Sequence, residues 1–157
     1  MHINEETKKL VSDYYFSLFG EKITFDTFNN RLKFQKMVYI LTYFDLLRED
    51  LKPIYNWYVR GPYSANVADI GYDLTEKNIP VKIMDIPEKL SYFKEIKGDI
   101  RKIELYASLL FLKNAGYCRE EAIREILVEK PDYSREEVEE MITHIRDSKR
   151  TRSHTSH

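Results

Sequence analysis

In the stretch Ile54-Tyr55-Asn56-Trp57-Tyr58-Val59-Arg60-Gly61-Pro62-Tyr63-Ser64 the chain gathers its single Trp, three Tyr and an Arg around one tight turn. These residue types carry recognition chemistry rather than reaction chemistry. A guanidinium can hold a carboxylate or a phosphate through two parallel hydrogen bonds. Trp and Tyr supply large, stiff, amphipathic area, and such side chains dominate binding energy at protein interfaces. Trp57, Tyr58, Arg60 and Tyr63 are therefore candidate partner-binding residues. A second meaning stays open for two of them: Trp57 as a core residue, and Arg60 as a brace of the turn held by an internal carboxylate. Arg31, Gln35 and Tyr39 recur at helical spacing and share one face. They form a second candidate set that would line the same surface.

A reaction centre is hard to assemble from the remaining residues. His2, His154 and His157 stand at the ends of the chain, and His144 falls on the last helix with no patterned nucleophile. Cys118 is the only cysteine, at a helix start, and reads as a substitute N-cap or a half-buried packing residue. No C-x-x-C, H-E-x-x-H or calcium loop occurs, so no metal site is expected. The five Gly fall in no phosphate-cradling spacing. Acids crowd between Glu120 and Glu140 on helix faces that read as solvated, a poor setting for a hydrolytic carboxylate pair. The expectation is a protein that is not an enzyme, with no catalytic residue and no cofactor.

The elements that position these residues follow from periodicity. A helix is expected over Asn4 to Phe19, with Leu10, Val11, Tyr14 and Leu18 on one side and Gly20 ending it. A second runs from about Thr27 to Leu47; from Phe34 onward it is apolar nearly all round, the pattern of a central helix packed from several sides. Ile54 to Val59 alternates as a strand that stops at the Gly61-Pro62 turn. Ser64 caps a helix over Ala65 to Lys77, with Val67, Ile70 and Leu74 inward. Val81 to Met84 is a second strand candidate. A short helix follows Pro87, and Asp99 to Asn114 is the second strongly apolar helix, stopped by Gly116.

Two similar openings, Tyr117-Cys118-Arg119-Glu120-Glu121 and Tyr133-Ser134-Arg135-Glu136-Glu137, each start a helix. Ser134 and Glu137 make a capping box. The fold class expected is mainly α (α+β): a compact helical domain with a two- to three-stranded sheet, a winged-helix-like element and a C-terminal helix pair. Residues 1–147 read as one globular domain and 148–157 as a disordered basic tail.

The totals agree with a single soluble domain. A chain of 157 residues with 43% hydrophobic residues can build a core. A formal net charge of -1 gives no global attraction to nucleic acid or anionic membrane. One cysteine, a polar Met1 to Lys9 and no apolar run near the roughly 20 residues of a membrane span point to the cytoplasm.

Two motifs carry a family resemblance. Arg31-Leu32-Lys33-Phe34-Gln35-Lys36-Met37-Val38-Tyr39 resembles the "KLQKLLY" helix of the Panacea domain family, which includes SocA-like antitoxins and YwgA-like proteins. Tyr58-Val59-Arg60-Gly61-Pro62-Tyr63-Ser64 resembles that family's "Y-x-x-GPYS" turn. The resemblance covers about Asn30 to Val81, more loosely Glu104 to Leu112, and not the C-terminal helix pair. Phe34 and Met37 stand where Leu is usual. The resemblance implies a mainly helical domain with a small sheet that binds proteins: members neutralise toxins, and one kind serves as an adaptor to a protease. Of the matched positions, Leu32, Lys36, Gly61, Pro62 and Ser64 would maintain the fold.

Three functions stay open on this reading. The first is a non-enzymatic interaction module whose partner is a protein such as a toxin or a protease component. The second is a winged-helix regulator with weak DNA binding, using Arg31, Lys33 and Lys36 on phosphates with Arg60 and the tail assisting. The third is an enzyme with an unrecognised site. An exposed aromatic face would also suit a homodimer.

Overall fold

The computed structural model describes the backbone of residues 5–47, 55–58 and 60–155, and the side chains of all of these except Tyr58 and residues 146–155. Helix α1 (Glu5–Phe19) buries Val11, Tyr14, Tyr15 and Leu18 and carries Glu5 and Glu6 at its start, where negative charge suits the helix dipole. Helix α2 (Phe28–Tyr43) is capped by Thr27, whose Oγ1 accepts from the Asn30 backbone N–H at 3.1 Å. Every residue from Phe34 to Leu41 is buried, so α2 is the central helix. Tertiary burial, at about 1.5–3 kcal/mol for each large apolar side chain, holds it rather than one amphipathic stripe.

Helix α2 stops at Tyr43, short of the expected Leu47. Asp45 adopts φ 57°, and the backbone N–H groups of Phe44 and Leu46 close back on Ile40 and Leu41. A left-handed residue of this kind ends a helix whatever the apolar pattern beyond it. The expected strand start at Ile54 and the position of Val59 lie outside the described residues. Strand β1 (Asn56–Tyr58) pairs antiparallel with β2 (Gly61–Tyr63), Tyr58 opposite Gly61 and Trp57 opposite Pro62. Gly61-Pro62 is therefore not the turn but the start of the returning strand. Gly61 needs φ 91°, and a Cβ there would collide with Ser108 Oγ of the helix beneath.

Helix α3 (Ala65–Glu76) starts at Ser64, whose Oγ accepts from the Val67 N–H at 3.4 Å. The strand expected at Val81 to Met84 does not form. No strand lies beside it among the described residues; its backbone N–H groups are taken instead by α1, Lys82 by Asp13 Oδ1 and Met84 by Ser17 Oγ, both at 3.0 Å. After a 3-10 turn (Glu88–Leu90) comes the short helix α4 (Ser91–Ile96). Helix α5 (Ile100–Asn114) is capped by Asp99 and is the second core helix, packed chiefly on α2 and on β2.

Helices α6 (Arg119–Glu129) and α7 (Arg135–Thr155) pack on each other and on α5. Each opens with a glutamate accepting from the cap backbone: Glu121 from Cys118 N–H and Glu137 from Ser134 N–H, both at 2.9 Å. The backbone of α7 is helical through Thr155, and the basic residues of the tail lie beyond the described side chains. The mainly helical domain with one small sheet is the expected class, with the sheet two-stranded among the described residues. No helix among the described residues is long and apolar enough to cross a membrane.

Candidate functional site

The first turns of α2, the hairpin and α3 enclose a cleft of about 500 Å³. The first turns of α2, the start of α5 and the connection between α6 and α7 enclose a second of about 510 Å³. Phe28, Leu32 and Arg60 line both. Arg60 forms the ridge between them, its guanidinium 5.4 Å from the Phe28 ring centroid and its Nη1 3.3 Å from Glu104 Oε1.

The second cleft is neutralised from within. Its charged lining is Arg60, Arg101 and Lys130 against Glu104, Glu129 and Asp132. Glu104, its side chain 8% exposed, takes Arg60 on one oxygen and Lys130 Nζ on the other at 3.2 Å. Burial lowers the Lys130 ammonium from its ordinary pKa, and Glu104 pulls it back up. Arg101 is locked to Asp132 at 2.8 Å and to Glu137 at 3.1 Å, and its guanidinium stacks 4.0 Å from the Tyr133 ring. Every Arg and Lys of this cleft is thus spoken for by a neighbouring carboxylate.

The first cleft has no carboxylate in its lining. Its charged residues are Arg31, Lys36 and Arg60, all cationic. Three large aromatic side chains that stay exposed line it: Phe28, Tyr63 and Tyr72, at 50%, 38% and 51% exposure. Beneath them Phe25 stands edge-on to Phe34 at 5.4 Å and to Tyr72 at 4.8 Å. Gly71 makes room for that ring, since a Cβ on α3 there would collide with it. Lys36 lies at the base, 1% exposed, with Nζ donating to Pro62 O at 2.6 Å. Burial pushes its pKa down to about 7, partly offset by Glu104 and deepened by the nearby Lys130 and Arg60.

The expected partner-binding residues divide between surface and interior. Arg31, Arg60 and Tyr63 are brought together on the first cleft. Gln35 is buried and grips the α3 cap, its Nε2 donating to Ser64 O at 2.8 Å and its Oε1 accepting from Ser64 N–H at 3.1 Å. Tyr39 is buried edge-on against Tyr55. Trp57 is half-buried and stacked on Phe111 at 5.7 Å, with its Nε1 buried, so the core meaning of this residue is the one realised. Arg60 likewise has the internal carboxylate that the bracing reading required. The Tyr58 side chain lies outside the described residues. Leu32, Lys36, Gly61, Pro62 and Ser64 are all buried.

Phe28, Phe25, Tyr72 and Glu104 were not singled out from the sequence. Phe28 carried a signal: it continues the Arg31, Leu32, Gln35 side of α2 backwards by one turn. Glu104 carried another, as the lone acid inside the apolar run Ile103 to Leu112 of α5. His144 is half-buried and stacked on Tyr92 at 4.2 Å, and Cys118 is exposed. Among the described residues no group of three or more His, Cys, Asp or Glu could hold a metal ion. Compared with protein-family models, curated proteins and solved structures, the chain matches none.

Proposed function

We propose that this chain is a non-enzymatic protein-interaction module of the antitoxin or adaptor type that its two motifs resemble, and that it docks its partner through the acid-free cleft. The observation that carries the reading is the convergence of Phe28, Tyr63 and Tyr72 with the cations Arg31 and Arg60 on one concave surface. Large exposed aromatics and Arg are the side chains that anchor interfaces. The buried motif residues support the division of labour: Gln35, Lys36 and Gly61 fix the hairpin and the α3 cap, and so fix the cleft walls.

Two of the three phosphate candidates of the DNA-binding alternative are already engaged within the fold. Of its phosphate candidates, Lys36 is interior and Lys33 is paired with Glu21 at 2.8 Å. The test is capture of a protein from the source cells by the wild-type chain, by Tyr63→Ala and by Phe28→Ala. The reading expects a specific partner whose recovery falls at least tenfold with either variant. A partner indifferent to both, or none at all, would sink it.

A further inference from the structure

The chemistry of the acid-free cleft states what a partner must present. Resting on the interaction reading above, we propose that the cleft takes a short peptide segment in which an aromatic or large aliphatic side chain stands beside a carboxylate.

The apolar half of the argument is the preformed floor. Leu32, Phe25 and Ala68 line it, and Phe25 is fixed by edge contacts to Phe34 and Tyr72 and by the open space at Gly71. A cleft whose walls need not rearrange binds an apolar side chain without a large ordering cost. The charged half is the imbalance. The chain carries 26 acids against 25 Lys and Arg, yet no acid lines this cleft. Arg31 spends Nη1 on Phe25 O at 2.8 Å and makes no ion pair among the described residues. A carboxylate arriving at the rim would meet the Arg31 guanidinium, which no resident acid pairs among the described residues, and beside it Arg60, whose guanidinium it would share with Glu104 across the ridge. In the neighbouring cleft it would have to compete with Glu104, Asp132 and Glu137.

The mode of docking follows from the hairpin. Pro62 O and both backbone polar groups of Ser64 are already taken by Lys36 and Gln35. A peptide therefore cannot add to this stretch as a further strand and must dock by its side chains. A volume of about 500 Å³ suits a few side chains. A nucleic acid would need rows of cations along its backbone, which Arg31 and Arg60 beside an apolar floor do not supply.

The experiment is selection of a random heptapeptide display library on immobilised wild-type protein, followed by synthesis of the enriched peptides. Their affinities are measured by fluorescence anisotropy on wild type, Arg31→Gln and Tyr72→Ala, each checked for folding by circular dichroism. Should Arg31→Gln fail to fold, Tyr72→Ala, at an exposed side chain, carries the comparison. The expected result is enrichment of Asp or Glu next to Phe, Tyr, Trp, Leu or Ile, with at least tenfold weaker binding to each folded variant and weakening as salt rises from 50 to 500 mM. Peptides that need Tyr72 but show no acidic enrichment would overturn the charge requirement while leaving the interaction reading intact. Acidic peptides indifferent to both variants would overturn the location. No enrichment would overturn the peptide class, and the partner capture above then decides the interaction reading by itself. Binding of 3-phenylpropionate as tight as that of the peptides would assign the cleft to a small carboxylate instead.

Discussion

The two clefts on either side of Arg60 have nearly the same size and share three lining residues, yet differ in charge balance. In one, the cations are matched by carboxylates, and Glu104 is held between Arg60 and Lys130. In the other, Arg31, Lys36 and Arg60 face an apolar floor with no carboxylate. A satisfied polar cluster holds structure together, since its charges have no unmet demand. Arg31, with no ion pair among the described residues and exposed aromatics beside it, leaves a demand that a partner can meet. Cleft volume alone would not separate the two.

Removing the acid that neutralises the charge-paired cleft should have the largest effect. Glu104→Ala leaves the buried Lys130 and the Arg60 ridge without their shared counter-charge, and breaking a buried pair in this way costs about 3–5 kcal/mol. Urea unfolding followed by circular dichroism should show that loss; a change under about 1 kcal/mol would mean the cluster is not structural.

Lys36 sharpens the comparison from the other side. Its folded pKa of about 7 lies below the ordinary 10.5. Between these values the unfolded chain holds a proton that the folded chain has released, so stability rises with pH across that window. From pH 7 to 9 the wild type should gain about 2 kcal/mol from this group. Above pH 9 the buried tyrosines, whose hydroxyls burial holds above their ordinary 10, oppose the rise. Lys36→Met should lose most of the gain in pH-dependent urea unfolding, and an unchanged pH profile would contradict the burial of a largely neutral amine.

The smallest effects on stability belong to the rim. Tyr63→Ala and Tyr72→Ala, at exposed side chains, should each shift unfolding by about 1.5 kcal/mol or less, the edge contact of Tyr72 with Phe25 included, while weakening peptide binding at least tenfold. A rim variant that lost stability instead would move these aromatics into the structural class.

Much of this architecture was legible in the chain. Ser64 and Ser134 marked helix starts as caps, because a side chain that satisfies a free N–H works locally. The apolar runs of α2 and α5 marked the two central helices. What failed depended on distant partners. Val81 to Met84 has strand composition but meets side chains of α1 rather than a strand. Gly61-Pro62 reads as a turn, whereas pairing with Tyr58 and contact with Ser108 make it the start of β2. For the site, the reading puts Arg31 on the same surface as Arg60 and Tyr63 but brings Gln35 and Tyr39 with it, and their burial depends on which way α2 turns its faces. The absence of acids from one cleft exists only once α2, the hairpin and α3 are brought together.

The central claim is that recognition belongs to the acid-free cleft and cohesion to its neighbour. Backbone amide chemical shifts recorded by NMR during titration with an enriched acidic peptide test it most directly. The account predicts shifts concentrated at Phe25 to Gln35 and at Gly61 to Tyr72, with Glu129 to Tyr133 unmoved. Shifts centred on Glu129 to Tyr133 and the start of α5 would contradict it.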